Sequence, residues 1–113
     1  MAIAGSQLGQ LTPADANAAS LYSPGAGVSA KLTSITIVNT SASNTIRVRL
    51  FHDEDGTTYG TTTAVYLYDR PMAPQTSLTI GLGAFMNNSA GNFAVRTDTA
   101  NDATFTLYGM EES

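Results

Sequence analysis

The chain has 113 residues with five basic residues against nine acidic ones, a net charge of −4, and a charged fraction of only 12%, about half the usual share. That length holds one domain, and the 42% hydrophobic content supports a packed core, while the acidic balance leaves no electrostatic footprint for nucleic acid or an anionic membrane. The absence of cysteine excludes a disulfide framework and a thiolate nucleophile or ligand, and suits synthesis in a reducing cytosol.

Residues 1–18 stand apart in composition: Ala, Gly, Ser and Gln, one charge at Asp15, and apolar residues at Ile3, Leu8 and Leu11. With no basic leader and no long apolar run, neither a secretory signal nor a transmembrane helix is expected. Pro13–Ala19 has room for one helical turn, with Thr12 as N-cap and Pro13 in first position, too short to hold alone. The expectation is an N-terminal arm over 1–18, disordered in the free protein. Ile3, Leu8 and Leu11 would anchor it on a neighbour, with backbone pairing to that neighbour's sheet edge. The domain proper is expected over 19–113.

Leu21–Asp53 reads as a short strand, a Pro-Gly turn, a long strand, a polar turn and a third strand. Ile46, Val48, Leu50 and His52 share one parity, with Arg47 and Arg49 on the other, as in a strand with one buried face. Val28, Ala30 and Leu32 lie on one parity and Ile35 and Ile37 on the opposite one. Such a change of phase predicts a β-bulge near Thr33–Ser34. Asn39–Asn44 is made of small residues that tolerate turn geometry, so the two strands are expected to pair as a hairpin.

Asp53-Glu54-Asp55-Gly56 opens a polar connection to Thr63. It resembles the start of a calcium loop, but the ligand spacing and the closing bidentate Glu are absent, so it reads as a solvated turn. Val65–Asp69 reads as a strand, with Tyr66 and Tyr68 on one face and Val65 and Leu67 on the other. One side would meet the core and the other a partner, which adds Tyr66 and Tyr68 to Ile3, Leu8 and Leu11 as candidate partner-binding residues. Pro71 and Pro74 bar a central strand position immediately afterwards. Leu78, Ile80 and Leu82 alternate with Thr79, Gly81 and Gly83 in a further strand, and 84–92 reads as a loop with Phe85 and Met86 tucked beneath it. Phe93 and Val95 mark another strand, 98–102 a turn, and Phe105 and Leu107 the last strand before Gly109 and an acidic tail.

About seven or eight short strands with regular turn signals predict an all-β fold: a single antiparallel β-sandwich or jelly roll. Its expected core includes Ile35, Ile37, Ile46, Val48, Leu50, Leu78, Ile80, Val95, Phe105 and Leu107.

Residue types that carry chemistry are scarce. His52 is the only histidine and sits on the inward parity of its strand, where it reads as a hydrogen-bonded core or rim residue. There is no nucleophile elbow and no phosphate-binding glycine loop. One histidine and no cysteine do not assemble a zinc site. The reading is a non-enzyme with no cofactor, no catalytic residues and no metal. A surface that is polar without being charged suits a protein whose outside is taken up by neighbours in an assembly.

The run LYSPGAGVSAKLTSITIVNTSASNTIRVRLF resembles a pattern of structural proteins of tailed bacteriophages, in which an LY-x-PAG turn precedes an "xxSIxIxNT" strand and a valine-rich strand. VYLYDRPMAPQTSLTIGLG resembles their strand, Pro-break, strand step. FMNNSAGNFAVRTDTANDATFTLYG resembles their closing hairpin region, with Asn92 where the pattern often has Asp. The resemblance spans roughly residues 21–109 and rests on turn-and-strand patterns without catalytic residues. It implies a virion β-domain, most like a capsid decoration (cement) protein. Such a protein would be a homotrimer bound to the major capsid protein on the capsid exterior, made in the host cytoplasm, with no nucleic acid or membrane partner. The alternatives are a tail- or neck-fibre or receptor-binding module and a small carbohydrate-binding domain, the last disfavoured by the absence of Trp.

Overall fold

The computed structural model describes residues 3–112. They form eight strands in two antiparallel four-stranded sheets, with no helix among the described residues. Sheet I has the order β1 (Ile3–Leu11), β8 (Ala103–Glu112), β3 (Ser29–Asn39), β6 (Ser77–Met86). Sheet II has the order β2 (Ala19–Tyr22), β7 (Asn92–Thr97), β4 (Ile46–Asp53), β5 (Arg70–Met72). The antiparallel pairs β1–β8, β2–β7, β3–β6 and β4–β5 are nested one inside the next. That is one long folded-over hairpin rolled into two sheets, the connectivity of a jelly roll. The expected fold class is the one the chain forms.

The core lies between the sheets. Ile35, Ile37, Phe105 and Leu107 come from sheet I, and Ile46, Val48, Leu50, Phe93 and Val95 from sheet II, all with no exposed surface. Each such side chain contributes roughly 1.5–3 kcal/mol by leaving water. Leu78 and Ile80, expected in the same core, are only half-buried, because β6 is the edge of sheet I. The expected bulge is present: β3 shifts register between Leu32 and Ser34 against both β6 and β8. One extra residue there lets Leu32 and Ile35 both face inward.

Three expectations are corrected. The first is the hairpin between β3 and β4. These strands lie in different sheets, and 40–45 is a corner that crosses the sandwich. Asn39 builds that corner. Its fully buried amide donates to the carbonyls of Asn44 (2.9 Å), Met72 (3.1 Å) and Ala73 (3.1 Å), and its Oδ1 accepts from Ser41 N–H (3.0 Å). The same amide therefore also holds the β5–β6 connection, which crosses back.

The second correction concerns the arm. Met1 and Ala2 lie outside the described residues, but from Ile3 to Leu11 the segment is β1, paired along β8 of its own chain. Leu8 and Leu11 pack against the core, and Gly109 makes room for Leu8. A Cβ at Gly109 would lie 2.8 Å from Leu8 Cδ1 and collide with the Lys31 carbonyl. Residues 14–17 form bends and no helical turn, with Asp15 Oδ1 accepting Asn17 N–H (2.9 Å).

Third, two segments read as loop or tail are strand. β6 continues through Phe85 and Met86, of which Met86 is buried and Phe85 is 67% exposed, and β8 runs on through Gly109 to Glu112.

Candidate functional site

The two outer faces of the sandwich differ. On sheet I, the outward positions of β8 hold Thr104, Thr106, Tyr108 and Met110, those of β3 hold Lys31, Thr36 and Val38, and those of β6 hold Ser77, Thr79, Gly81 and Phe85. Hydroxyl contacts run across the strands: Gln10 donates to Thr106 (3.0 Å), and Thr36 bonds Thr79 (3.0 Å), as Thr12 does Thr104 (2.8 Å). At one end Phe85, Tyr108 and Met110 are exposed. The Lys31 ammonium sits 5.9 Å from the Phe85 ring centre. Beside them lies an open groove of about 290 Å³ lined by Ser29, Lys31, Phe85, Met110 and Glu112. Among the described residues, the outward positions of β3, β6 and β8 carry charge only at Lys31 and Glu112, both at that end, where Glu111 also lines the groove.

Sheet II presents arginine. Arg47 and Arg49 point outward from β4, and Arg49 stands directly opposite Arg96 of β7. Arg70 lies exposed on the edge strand β5, but it pairs with Val48 and so stands on the opposite side of the sheet from Arg47, Arg49 and Arg96. All four arginines of the chain are thus on this sheet. The guanidinium of Arg49 grips Asp69 in a two-point contact (Nε–Oδ1 2.6 Å, Nη2–Oδ2 3.1 Å) and lies 4.1 Å from the centre of the Tyr68 ring. This is the single ion pair among the described residues. The bond from Arg49 holds the Asp69 carboxyl below its usual range, and the charges of Arg96 and Arg47 push the same way. The bond to Asp69 likewise raises Arg49.

The other half of this face is covered by the chain itself. Phe51 points outward from β4 yet is buried, with the Tyr59 ring 6.1 Å away, and Ala94 beside it is buried too. The turn after β4 is organised by Asp53, whose carboxylate accepts the N–H groups of Thr58 (2.8 Å) and Asp55 (3.2 Å). Those two bonds hold its carboxyl below the usual range. No group of three or more His, Cys, Asp or Glu side chains able to hold a metal occurs among the described residues.

Val65–Asp69, expected as a strand, is not one. The segment follows the edge of β4 but is broken by a tight turn in which Leu67 N–H donates to Val65 O (2.7 Å) around Tyr66, whose φ is 64°. The two flanking residues bind one β4 residue: Val65 N–H donates to Leu50 O (2.9 Å), and Leu50 N–H donates to Leu67 O (3.1 Å). Asp69 also has positive φ, 56°, after which Pro71 lies in the edge strand β5. Tyr66 and Tyr68 are both displayed, 49% and 45% exposed. The Tyr66 hydroxyl accepts Gly83 N–H from the edge of β6 (3.1 Å), tying the rims of the two sheets together.

Of the candidate partner-binding residues, Tyr66 and Tyr68 stand together on the surface. Leu8 and Leu11 are engaged within the chain, and Ile3 is placed by its register opposite Glu112. The sequence reading missed Arg47, Arg49 and Arg96 as a group, and Phe85, Tyr108 and Met110 as another. The alternation of β4 and β8 carried the signal for most of them. His52 is half-buried with its ring centre 6.3 Å from that of Phe93, and its Nε2 has no hydrogen-bond partner. At this same end of the sandwich Tyr22 of β2, opposite Phe93, donates to Glu111 of β8 (2.8 Å). Burial first, and then that bond, pushes the phenol far above its usual value.

No family model, curated protein or solved structure matches this chain.

Proposed function

We propose that the chain is a structural subunit of a tailed-phage virion, a capsid decoration protein that binds the major capsid protein on the outside of the shell and reinforces it. The observation that carries this reading is the outer face of sheet I. It is a four-stranded surface of hydroxyls and glycines with Phe85, Tyr108 and Met110 exposed on it and charge only at one end. Such a surface loses little by being covered, because few ionic groups must give up water. The phage-like turn and strand patterns of the sequence support the same reading, as does a fold architecture that viral capsid proteins share with lectins and other binding domains.

Reinforcement works by mass action. A subunit that binds the assembled shell and not its separated parts stabilises the shell by its binding free energy. A homotrimer multiplies weak contacts into avidity. Counting copies per virion, by quantitative gel or cryo-microscopy, tests the proposal: hundreds of copies on the shell support it, and a handful at the neck or tail makes the chain a fibre module.

A further inference from the structure

A second surface stands apart from the face just discussed, and it does not depend on the assembly being a virion. Arg49 and Arg96 face each other across β4 and β7. Like charges in directly opposed positions destabilise a sheet. One carboxylate, Asp69, offsets this, and both of its oxygens are taken by Arg49. The other arginines have neutral partners or none: Arg47 Nη1 donates to the Asp69 carbonyl (3.3 Å), Arg96 Nε donates to the Ala16 carbonyl (2.8 Å), and Arg70 is exposed. Asp98, the next nearest carboxylate in sequence, spends one oxygen on the Arg47 backbone N–H (2.9 Å) and the Thr99 hydroxyl (3.0 Å).

The backbone that displays this group is strained. Tyr66 and Asp69 both have positive φ, and Tyr is poorly suited to that region. Strain of this kind persists where the surroundings enforce it, and it clusters at functional surfaces. Here it accompanies the display of Tyr68, whose ring carries the Arg49 guanidinium, while Tyr66 reaches across to β6. Tyr and Arg are the residues that most often anchor protein interfaces.

We propose that this half of the outer face of sheet II is a docking surface for a carboxylate-rich protein surface. Arg47 and Arg96 take its carboxylates, around a rigid centre made by Arg49, Asp69 and Tyr68. Complementary charge selects this occupant. The arginines are spread over a pleated face and not gathered around a cavity, which suits several spaced carboxylates better than one small anion. Nucleic acid fits less well, because the whole chain is acidic and the Tyr68 ring, which a base would stack on, already carries Arg49.

The test uses the intact chain and a fluorescein-labelled glutamate-rich peptide, read by fluorescence anisotropy at low and at physiological salt. The expected result is salt-sensitive binding that weakens about fivefold or more in the double variant Arg47→Gln, Arg96→Gln. Lys31→Gln on the opposite sheet should leave it unchanged. Arg47→Glu alone, at an exposed position, provides a second variant if the double one fails to fold, and it should weaken binding too. The proposal is overturned by equal binding of the Arg variants and the parent, by an equal loss in Lys31→Gln, or by tighter binding of a labelled single-stranded oligonucleotide than of the peptide.

Discussion

The two outer faces start from the same alternation of side chains and finish unlike each other. On sheet I the outward positions of β3, β6 and β8 are mostly small, hydroxylated or apolar, and Phe85, Tyr108 and Met110 are exposed among them. On sheet II the chain's own segment after β4 covers outward Phe51, Ala94 beside it is buried too, and Arg47, Arg49 and Arg96 stand at other outward positions. Alternation decides which residues leave the core. Loops decide what those residues then meet. One face is nearly uncharged and the other gathers three of the four arginines of an acidic protein, and the two proposed contacts rest on that difference.

The strongest way to break the comparison is to remove what the faces share. Val48→Asp places an unpaired charge between the sheets at a position with no exposed surface, and the β-sheet circular-dichroism signal should be lost at all temperatures. A cooperative melt in that variant would show the core to be looser than its packing implies. Next comes Asn39→Leu, which leaves three carbonyls at the crossover corner without their donor. The expected cost is about 3 kcal/mol, a fall of roughly 12–18 °C in melting midpoint.

Titration separates the faces more gently. The Asp69 and Asp53 carboxyls, both on the sheet II side, sit lower in the folded chain than in the unfolded one. Their contribution is complete above the usual value of 3.8 and is lost as pH falls through the folded values. Tyr22 is shifted upward, so its contribution is complete below the usual 10.0 and is lost as pH climbs beyond it. Melting midpoints should therefore decline at both extremes, and Asp69→Asn should flatten only the acid limb. A profile unchanged by Asp69→Asn would mean that its contact with Arg49 adds nothing to stability.

The smallest effect sharpens the comparison best. Phe85→Ser, on the open face, should change stability by less than about 0.5 kcal/mol, because the ring is already 67% exposed. The same change should weaken retention on purified shells. Retention equal to that of the parent chain would take the sheet I face out of the proposed contact.

Much of the fold was legible. The parity switch at Leu32–Ile35 announced the bulge, and the alternation in β4 announced a core in which Ile46, Val48 and Leu50 are indeed fully buried. The corner at 39–44 was misread because the residues that suit a tight hairpin turn also suit a crossing between sheets. What distinguishes the two is the buried amide of Asn39, which depends on carbonyls from 72–73, far along the chain. β1 was misread for a related reason. Its Gly, Gln and Ala content looks like a linker, and its pairing with β8 is not a local property. Val65–Asp69 has the side chains of a strand, but its two left-handed residues override that preference. The arginine group was only half visible, since Arg96 joins Arg47 and Arg49 through a strand pairing that sequence alone does not supply.

The nested pairing also has a kinetic meaning. β4 and β5 are separated by sixteen residues, whereas β1 and β8 meet across nearly the whole chain, with Leu11 opposite Phe105. Closing a longer loop costs more entropy, so assembly from the inner pair outward is favoured and the β1–β8 ladder closes last. Domains dominated by such distant pairings fold in roughly milliseconds to seconds. Through that interval the edge of β8 waits with its register to β1 already defined. A β1 from a second chain satisfies that register equally well, so refolding at high concentration should yield strand-exchanged oligomers, and dilution should return single chains.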